Sequence, residues 1–346
     1  MTVRILAAGD QFVRPGLLVH ALHQELGNTV DVSTLELPWP VEPFRRIAEV
    51  DEASGSEEQM IEALRGVRIC VTQMAPLTER ILQACPSLEL FAVGRGGPVN
   101  ANVDAAARHG VTVTCAPGRN AVATSEHTVA MMMAAARRIP HTHGELMGGV
   151  WRGDYYQYDQ VGVELEGSCV GLVGYGAIGK RVARILKGFG ATVLVYDPYI
   201  RSDAVTDVDE LVGLDELLNR SQVVSLHARL TKDNAGMIGA KEIAAMPNGS
   251  IIVNCARGGL LDYDAVCDAL ESGHLFGAAF DVFPEEPIPV GSRLLATPGI
   301  VMTPHLAGAS KQTAHNAAKI VAAETGRFLR GEALENAVAP NVRRAG

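Results

Sequence analysis

Residues 170–190 read VGLVGYGAIGKRVARILKGFG, and this stretch constrains the fold more than any other. Gly174, Gly176 and Gly179 stand in GxGxxG spacing after a short apolar run and before an amphipathic helical pattern at residues 178–189. A second apolar run, residues 192–196, ends in Asp197, 18 residues after Gly179. This strand, turn, helix, strand and acid order is the dinucleotide-binding βαβ unit of a Rossmann domain. Each glycine has a separate task there. Gly174 permits the tight turn, Gly176 lets the backbone approach a pyrophosphate, and Gly179 lets the helix pack against the strand. Tyr175, Ala177 and Ile178 complete the turn, whose helix N-terminus carries partial positive charge. Asp197 would accept the adenine ribose hydroxyls and repel a 2′-phosphate, which favours NAD over NADP. Arg201 and Arg229 are cations close by in sequence that act in the opposite sense.

At 346 residues the chain exceeds what one core usually organises, so two domains are expected. Short β-branched runs alternate with helical patterns from residue 3 to residue 115, and a long apolar helical pattern over residues 121–138 follows Pro117 and Gly118. A new alternation opens at Cys169 and runs to residue 303. Such order gives parallel sheets covered by helices on both faces. The last helix, about residues 309–329, is long enough to return the chain to its first unit. The expected division is therefore 1–118 with 310–346, and 119–309.

A net charge of −9 argues against a nucleic-acid binder that relies on phosphate neutralisation. No apolar run approaches the length of a membrane span, and no signal-peptide pattern opens the chain, so a cytoplasmic protein is expected. The six cysteines lie scattered without a CxxC pair, which suggests neither a zinc cage nor a disulfide framework. His141 and His143 are two apart and face different sides of any helix, so no metal site is expected there. His20, His23, His109, His127, His274 and His315 show no partner pattern and read as structural or surface residues.

Oxidising a secondary alcohol needs a base for the hydroxyl proton, a cation for a carboxylate and carbonyl, and a nicotinamide. Three motifs at strand ends offer these groups: Asn254-Cys-Ala-Arg257-Gly-Gly, Asp281-Val-Phe-Pro-Glu-Glu286-Pro and Thr303-Pro-His305-Leu-Ala-Gly. Ligands of open parallel sheets bind at the carboxyl ends of strands, where all three fall.

With these motifs, the fingerprint and the segment His227-Ala-Arg-Leu-Thr, in this order and over nearly its whole length, the chain resembles the D-isomer-specific 2-hydroxyacid dehydrogenases. The resemblance implies an α/β protein of two doubly wound parallel-sheet domains, a Rossmann NAD-binding domain and a flavodoxin-like substrate domain. It implies hydride transfer between NAD(H) and C2 of a small D-2-hydroxy or 2-oxo acid. Arg257 would hold the substrate carboxylate and carbonyl, His305 would exchange the hydroxyl proton, and Glu286 would pair with His305. Asp281 would hold the nicotinamide carboxamide. His227, Ala228, Asn234, Cys255, Ala256, His305 and Gly308 would line the cofactor. A homodimer is also implied, with the apolar helix 121–138 as a contact.

The substrate loop departs from the family pattern. Arg95, Gly97, Val99 and Asn100 fall where backbone N–H groups usually take the carboxylate, but Pro98 cannot donate, so the Asn100 side chain is expected to share that role. A phosphoglycerate dehydrogenase is the alternative, since Arg95 matches an arginine of those enzymes. Gln73, however, stands where some carry a phosphate-reading arginine, and a neutral amide cannot replace a guanidinium against a dianion. A non-phosphorylated acid is therefore preferred. A second alternative is an NAD(H)-sensing binding protein of the corepressor type, because fold alone does not fix function.

Overall fold

Alternation of β-branched and helix-forming runs produces, in the first part of the chain, β1 (Val3–Gly9), α1 (Pro15–Leu26), β2 (Val30–Glu36), β3 (Arg45–Ile47), β4 (Val50–Ala53), α2 (Glu57–Ala63), β5 (Ile69–Thr72), α3 (Glu79–Ala84), β6 (Leu90–Val93), α4 (Val103–Arg108) and β7 (Thr112–Thr114). This is a computed structural model, and it describes residues 2–27, 29–39, 45–201 and 205–340. The chain forms two units, Met1–Asn120 with Ser310–Gly346, and Ala121–Ala309.

In the first unit the sheet runs β2-β1-β5-β6-β7, all parallel, which is the flavodoxin-like order once the small β3–β4 hairpin is set aside. Ile5 to Ala8, Ile69 to Val71 and Leu90 to Val93 are buried on both faces. Met60, Ile81 and Ala105 from α2, α3 and α4 cover one face. Leu18 and Leu22 of α1 cover the other, together with the C-terminal helix Lys311–Arg330. Helix starts are fixed locally, since Ser56, Thr78 and Asn102 each accept a backbone N–H of the first turn.

The second unit holds α5 (Ala121–Ala136), α6 (Ile139–Met147), β8 (Cys169–Val173), α7 (Ala177–Gly188), β9 (Thr192–Tyr196), β10 (Glu210–Leu211), α8 (Leu214–Arg220), β11 (Val223–Leu226), α9 (Ala240–Ala244), β12 (Ser250–Asn254), α10 (Tyr263–Glu271), β13 (Leu275–Phe280) and β14 (Ile300–Met302). Its parallel sheet runs β10-β9-β8-β11-β12-β13-β14. Strand order reverses between β8 and β11, the switch point at which such sheets open a crevice.

Helix α5 corrects one expectation. Its apolar residues Val129, Met131, Met132, Ala135 and Ala136 are buried in the core shared with α7, so they are not a free contact surface. Helix α6 buries none of its residues. Among the described residues no helix is long and apolar enough to cross a membrane.

Candidate active site

The β8–α7 turn shows why its glycines are required. Gly174 sits at φ 104°, and a Cβ there would lie 2.7 Å from Ala228 N and 2.8 Å from the His227 carbonyl carbon. A Cβ on Gly179 would lie 2.3 Å from the Gly174 oxygen, whereas one on Gly176 would meet nothing within 4 Å. Gly176 thus leaves open the space a pyrophosphate would fill. Asp197 holds the turn from β9, accepting Tyr175 N (2.8 Å) and Tyr199 N (3.0 Å). These residues fit a dinucleotide. Tyr175 contributes only its backbone, because its side chain is fully buried in the core and its hydroxyl bonds the Thr206 backbone.

At the end of β12 the buried Asn254 organises the Arg257 loop. Its Oδ1 accepts Ala256 N (3.0 Å), and its Nδ2 donates to Arg257 O (2.9 Å) and to the Tyr263 hydroxyl (3.1 Å), which donates to Val282 O at 2.6 Å. Gly258 lets the loop after β13 lie directly on this turn, since a Cβ there would come within 2.0 Å of Phe283 O. Arg257 itself is exposed, with Nη1 donating to Ala256 O at 2.6 Å. Cys255 is buried and its thiol is pushed up to about 12 by that burial, so it stays protonated.

His305 Nδ1 lies 2.7 Å from Glu286 Oε2, and Glu286 Oε1 accepts Phe283 N at 3.0 Å. The hydrogen bond that His305 donates to Glu286 raises the His305 pKa above the ordinary imidazole value, against the opposing effect of burial. Burial would raise Glu286, but the bond and charge of His305 bring it below the usual carboxylate range. The Arg257 charge is close enough to lower both groups. Three strand ends of one sheet therefore bring together a guanidinium and a carboxylate-backed imidazole whose Nε2 remains available for proton exchange.

His305 adopts φ 54°, a left-handed conformation unfavourable for a non-glycine residue. Asp281 overrides it. The carboxylate is buried, taking the Thr303 hydroxyl (2.5 Å), Leu306 N (2.7 Å) and Ala307 N (2.8 Å). Asp281 thus fixes the segment that carries His305. His127 on α5 adds to this anchor, with Nε2 3.0 Å from Thr303 Oγ1 and 3.6 Å from Asp281 Oδ1.

The profile of the D-isomer specific 2-hydroxyacid dehydrogenase NAD binding domain matches residues 129–307. A glyoxylate reductase of Korarchaeum cryptofilum is 36% identical over 290 residues, covering 83% of this chain and 87% of that protein. The chain is a member of the D-isomer specific 2-hydroxyacid dehydrogenase family. A D-3-phosphoglycerate dehydrogenase of Methanocaldococcus jannaschii is 34% identical over 304 residues, 86% of this chain but 57% of that protein. The chain thus spans little more than half the length of this curated relative. The structure of a D-lactate dehydrogenase from Treponema pallidum superposes with TM-score 0.80 at 26% identity, covering 97% of this chain and 100% of that one.

Within this family member the remaining sequence-selected residues take varied places. His227 donates to or accepts from Ser225 Oγ at 3.0 Å, and burial pushes its pKa down to about 4, so it is neutral at physiological pH and no second acid. Asn234 closes its own loop, accepting Thr231 N and donating to Arg229 O, both at 2.7 Å. Gly308 lies in the turn closed by Ala309 N to Leu306 O at 2.8 Å. In the first unit Arg95 pairs with Glu52, and a Cβ on Gly97 would meet nothing within 4 Å. Val99 is exposed, with its carbonyl accepting Asp51 N at 3.0 Å. Asn100 is fully buried and donates to Ala75 O at 2.7 Å, so its amide braces the loop and does not reach outward as expected. Sequence reasoning missed His127 and Tyr263; their roles depend on partners far along the chain, and neither lies in a recognisable local pattern.

Proposed function

We propose that the chain is an NAD-dependent dehydrogenase acting at C2 of a small D-2-hydroxy acid, or on the 2-oxo acid in the reverse direction. The observation that carries this reading is the 2.7 Å His305–Glu286 pair in the electrostatic range of Arg257. Bound nicotinamide would supply the hydride acceptor or donor, held by the β8–α7 turn and Asp197. Arg257 binds the carboxylate and polarises the C2 oxygen. In reduction the His305 imidazolium gives its Nε2 proton to that oxygen; in oxidation the neutral ring removes it. Glu286 fixes the tautomer and stabilises the charged ring. In the loop 95–100, Arg95 and the backbone of Gly97 and Val99 serve the substrate. Incubation with NADH and a broad panel of 2-oxo acids is expected to bleach NADH absorbance; silence across the panel sinks the reading.

Replacement Glu286→Gln tests the pair through pH. Because the carboxylate raises the His305 pKa, the proton is retained to higher pH in the parent than in the variant. Reduction by E286Q is therefore expected to decline at lower pH than in the parent, and oxidation to set in at lower pH. Coincident pH profiles would remove Glu286 from this role.

A phosphorylated substrate is the second reading, favoured by the name of the M. jannaschii relative. Comparing plain and phosphorylated acids separates the two. A homodimer is supported by the exposed apolar residues Ile139, Leu146, Met147, Trp151, Tyr156 and Tyr158 on α6 and the segment after it. Replacing Trp151 by Glu is expected to yield monomers in analytical ultracentrifugation. Six cysteines without a disulfide among the described residues support a reducing, cytoplasmic setting.

A further inference from the structure

The loops that carry Arg257 and Glu286 leave adjacent strands of one sheet, β12 and β13, and their spacing has to be set by something between them. Gly258 limits how closely they approach, because its Cα lies against Phe283 O. Steric contact alone does not hold two loops together. The attractive part comes from Tyr263, the first residue of α10. Asp262 fixes that helix start by accepting Asp264 N and Ala265 N, both at 3.1 Å, and a helical side chain leans back toward the N-terminus. Tyr263 is thereby aimed at the two strand ends.

There its ring is buried, edge-on to Phe280 with centroids 4.8 Å apart and 6.3 Å from the ring of Phe283. The hydroxyl meets both loops at once, donating to Val282 O at 2.6 Å and accepting Asn254 Nδ2 at 3.1 Å. From Asn254 the same amide nitrogen continues to Arg257 O at 2.9 Å. From Val282 the path continues through the next residue, Phe283, whose N–H is taken by Glu286, and on to His305. A bonded path therefore runs from the guanidinium-bearing turn to the acid–base pair, with Tyr263 at its middle. Burial, with the Glu286 and Cys255 charges acting in the same sense, raises the Tyr263 pKa, so the hydroxyl keeps the proton it gives to Val282 O.

We propose that Tyr263 is a positioning residue of the dehydrogenase, whose hydroxyl sets the place of Arg257 relative to the Glu286–His305 pair. Its kinetic part rests on the dehydrogenase reading above; its structural part rests on the hydrogen bonds alone. Removing the hydroxyl leaves Val282 O without that donor in a buried place and frees the Asn254 amide to turn, so both loops drift. Drift of about 1 Å in a catalytic group costs up to about 10²-fold in rate.

The test compares Tyr263→Phe with Val266→Ala, a fully buried residue of the same helix whose truncation opens a cavity but breaks no side-chain hydrogen bond. Phenylalanine keeps the ring contacts, so Y263F retains the fold. Its kcat/KM for the accepted 2-oxo acid is expected to fall at least about tenfold, with KM raised because Arg257 has moved, while NADH affinity changes by less than about threefold. His305 is subject to Glu286 and Asp281, which hold its proton, and to Arg257, which opposes them. A loosened Glu286 releases that proton, so reduction by Y263F is expected to decline at lower pH than in the parent, as in E286Q. V266A is expected to melt at a lower temperature yet keep the parent pH profile and kcat/KM within about twofold. Titration of the His305 ring by heteronuclear NMR, its signal assigned as the one missing from H305A, reads the same coupling without turnover; Y263F is expected to bind this proton at least about threefold more weakly than the parent. An unmoved His305 titration, or like behaviour of Y263F and V266A, overturns the proposal. If no acid is turned over at all, the dehydrogenase reading fails, and the titration still decides whether Tyr263 holds the pair.

Discussion

His305→Ala is expected to lower kcat by about 10²- to 10⁴-fold, the range that positioned acid–base catalysis typically contributes, while NADH affinity changes by less than about threefold. The separation follows from the geometry. His305 directs Nδ1 to Glu286 and keeps Nε2 for the substrate, whereas the dinucleotide turn is built by Gly174, Gly176, Gly179 and Asp197 on other strands. Steady-state kinetics together with NADH fluorescence titration measure the two effects independently. An equal loss of turnover and NADH binding would make His305 a cofactor ligand and leave the hydroxyl proton without an acceptor. An NAD(H)-sensing binder gives a third pattern: tight NADH binding with no turnover for the substitution to lose.

The second large effect concerns a residue with no functional group. Gly258→Ala is expected to destabilise the protein by about 3 kcal/mol, as overpacking against an unyielding neighbour does, and to reduce kcat/KM by roughly 10²-fold. The new methyl group would meet Phe283 O at 2.0 Å and Pro284 N at 2.8 Å, both backbone atoms, so the loops bearing Arg257 and Glu286 must separate. Gly259→Ala is the control. Its methyl group would press on the Leu230 side chain at 2.8 Å, which can rotate away, and a much smaller change is expected. Thermal denaturation and kinetics of the two variants check the contrast; equal behaviour would mean that this close approach does not set the spacing of the site.

These cases also show what a sequence can disclose. The fingerprint glycines were readable because their necessity is steric and local: Gly174 and Gly179 serve contacts within the turn and with the neighbouring strand end. Arg257, Glu286 and His305 were readable as three strand-end motifs, and the structure brings them together on one sheet. Asp281 was harder. Its donors, Thr303, Leu306 and Ala307, lie beyond the next strand, so its hold on the segment that carries His305 could not be read locally. The burial of the Tyr175 side chain was hidden for a related reason, since its partner Thr206 comes from beyond β9. The β3–β4 hairpin escaped notice because its strands are three and four residues long and carry no alternating apolar pattern.

The helix Lys311–Arg330 follows the whole second unit in the chain yet packs its Ala314, Ala317, Ala318 and Val321 against the sheet of the first. Gly94 makes the fit close, since a Cβ there would touch Ala317 Cβ at 3.3 Å. On the ribosome, therefore, the first segment must wait with one flank of its sheet covered by α1 alone until some 190 further residues have been made. A form cut before residue 310 is therefore expected to aggregate, which light scattering after expression would check.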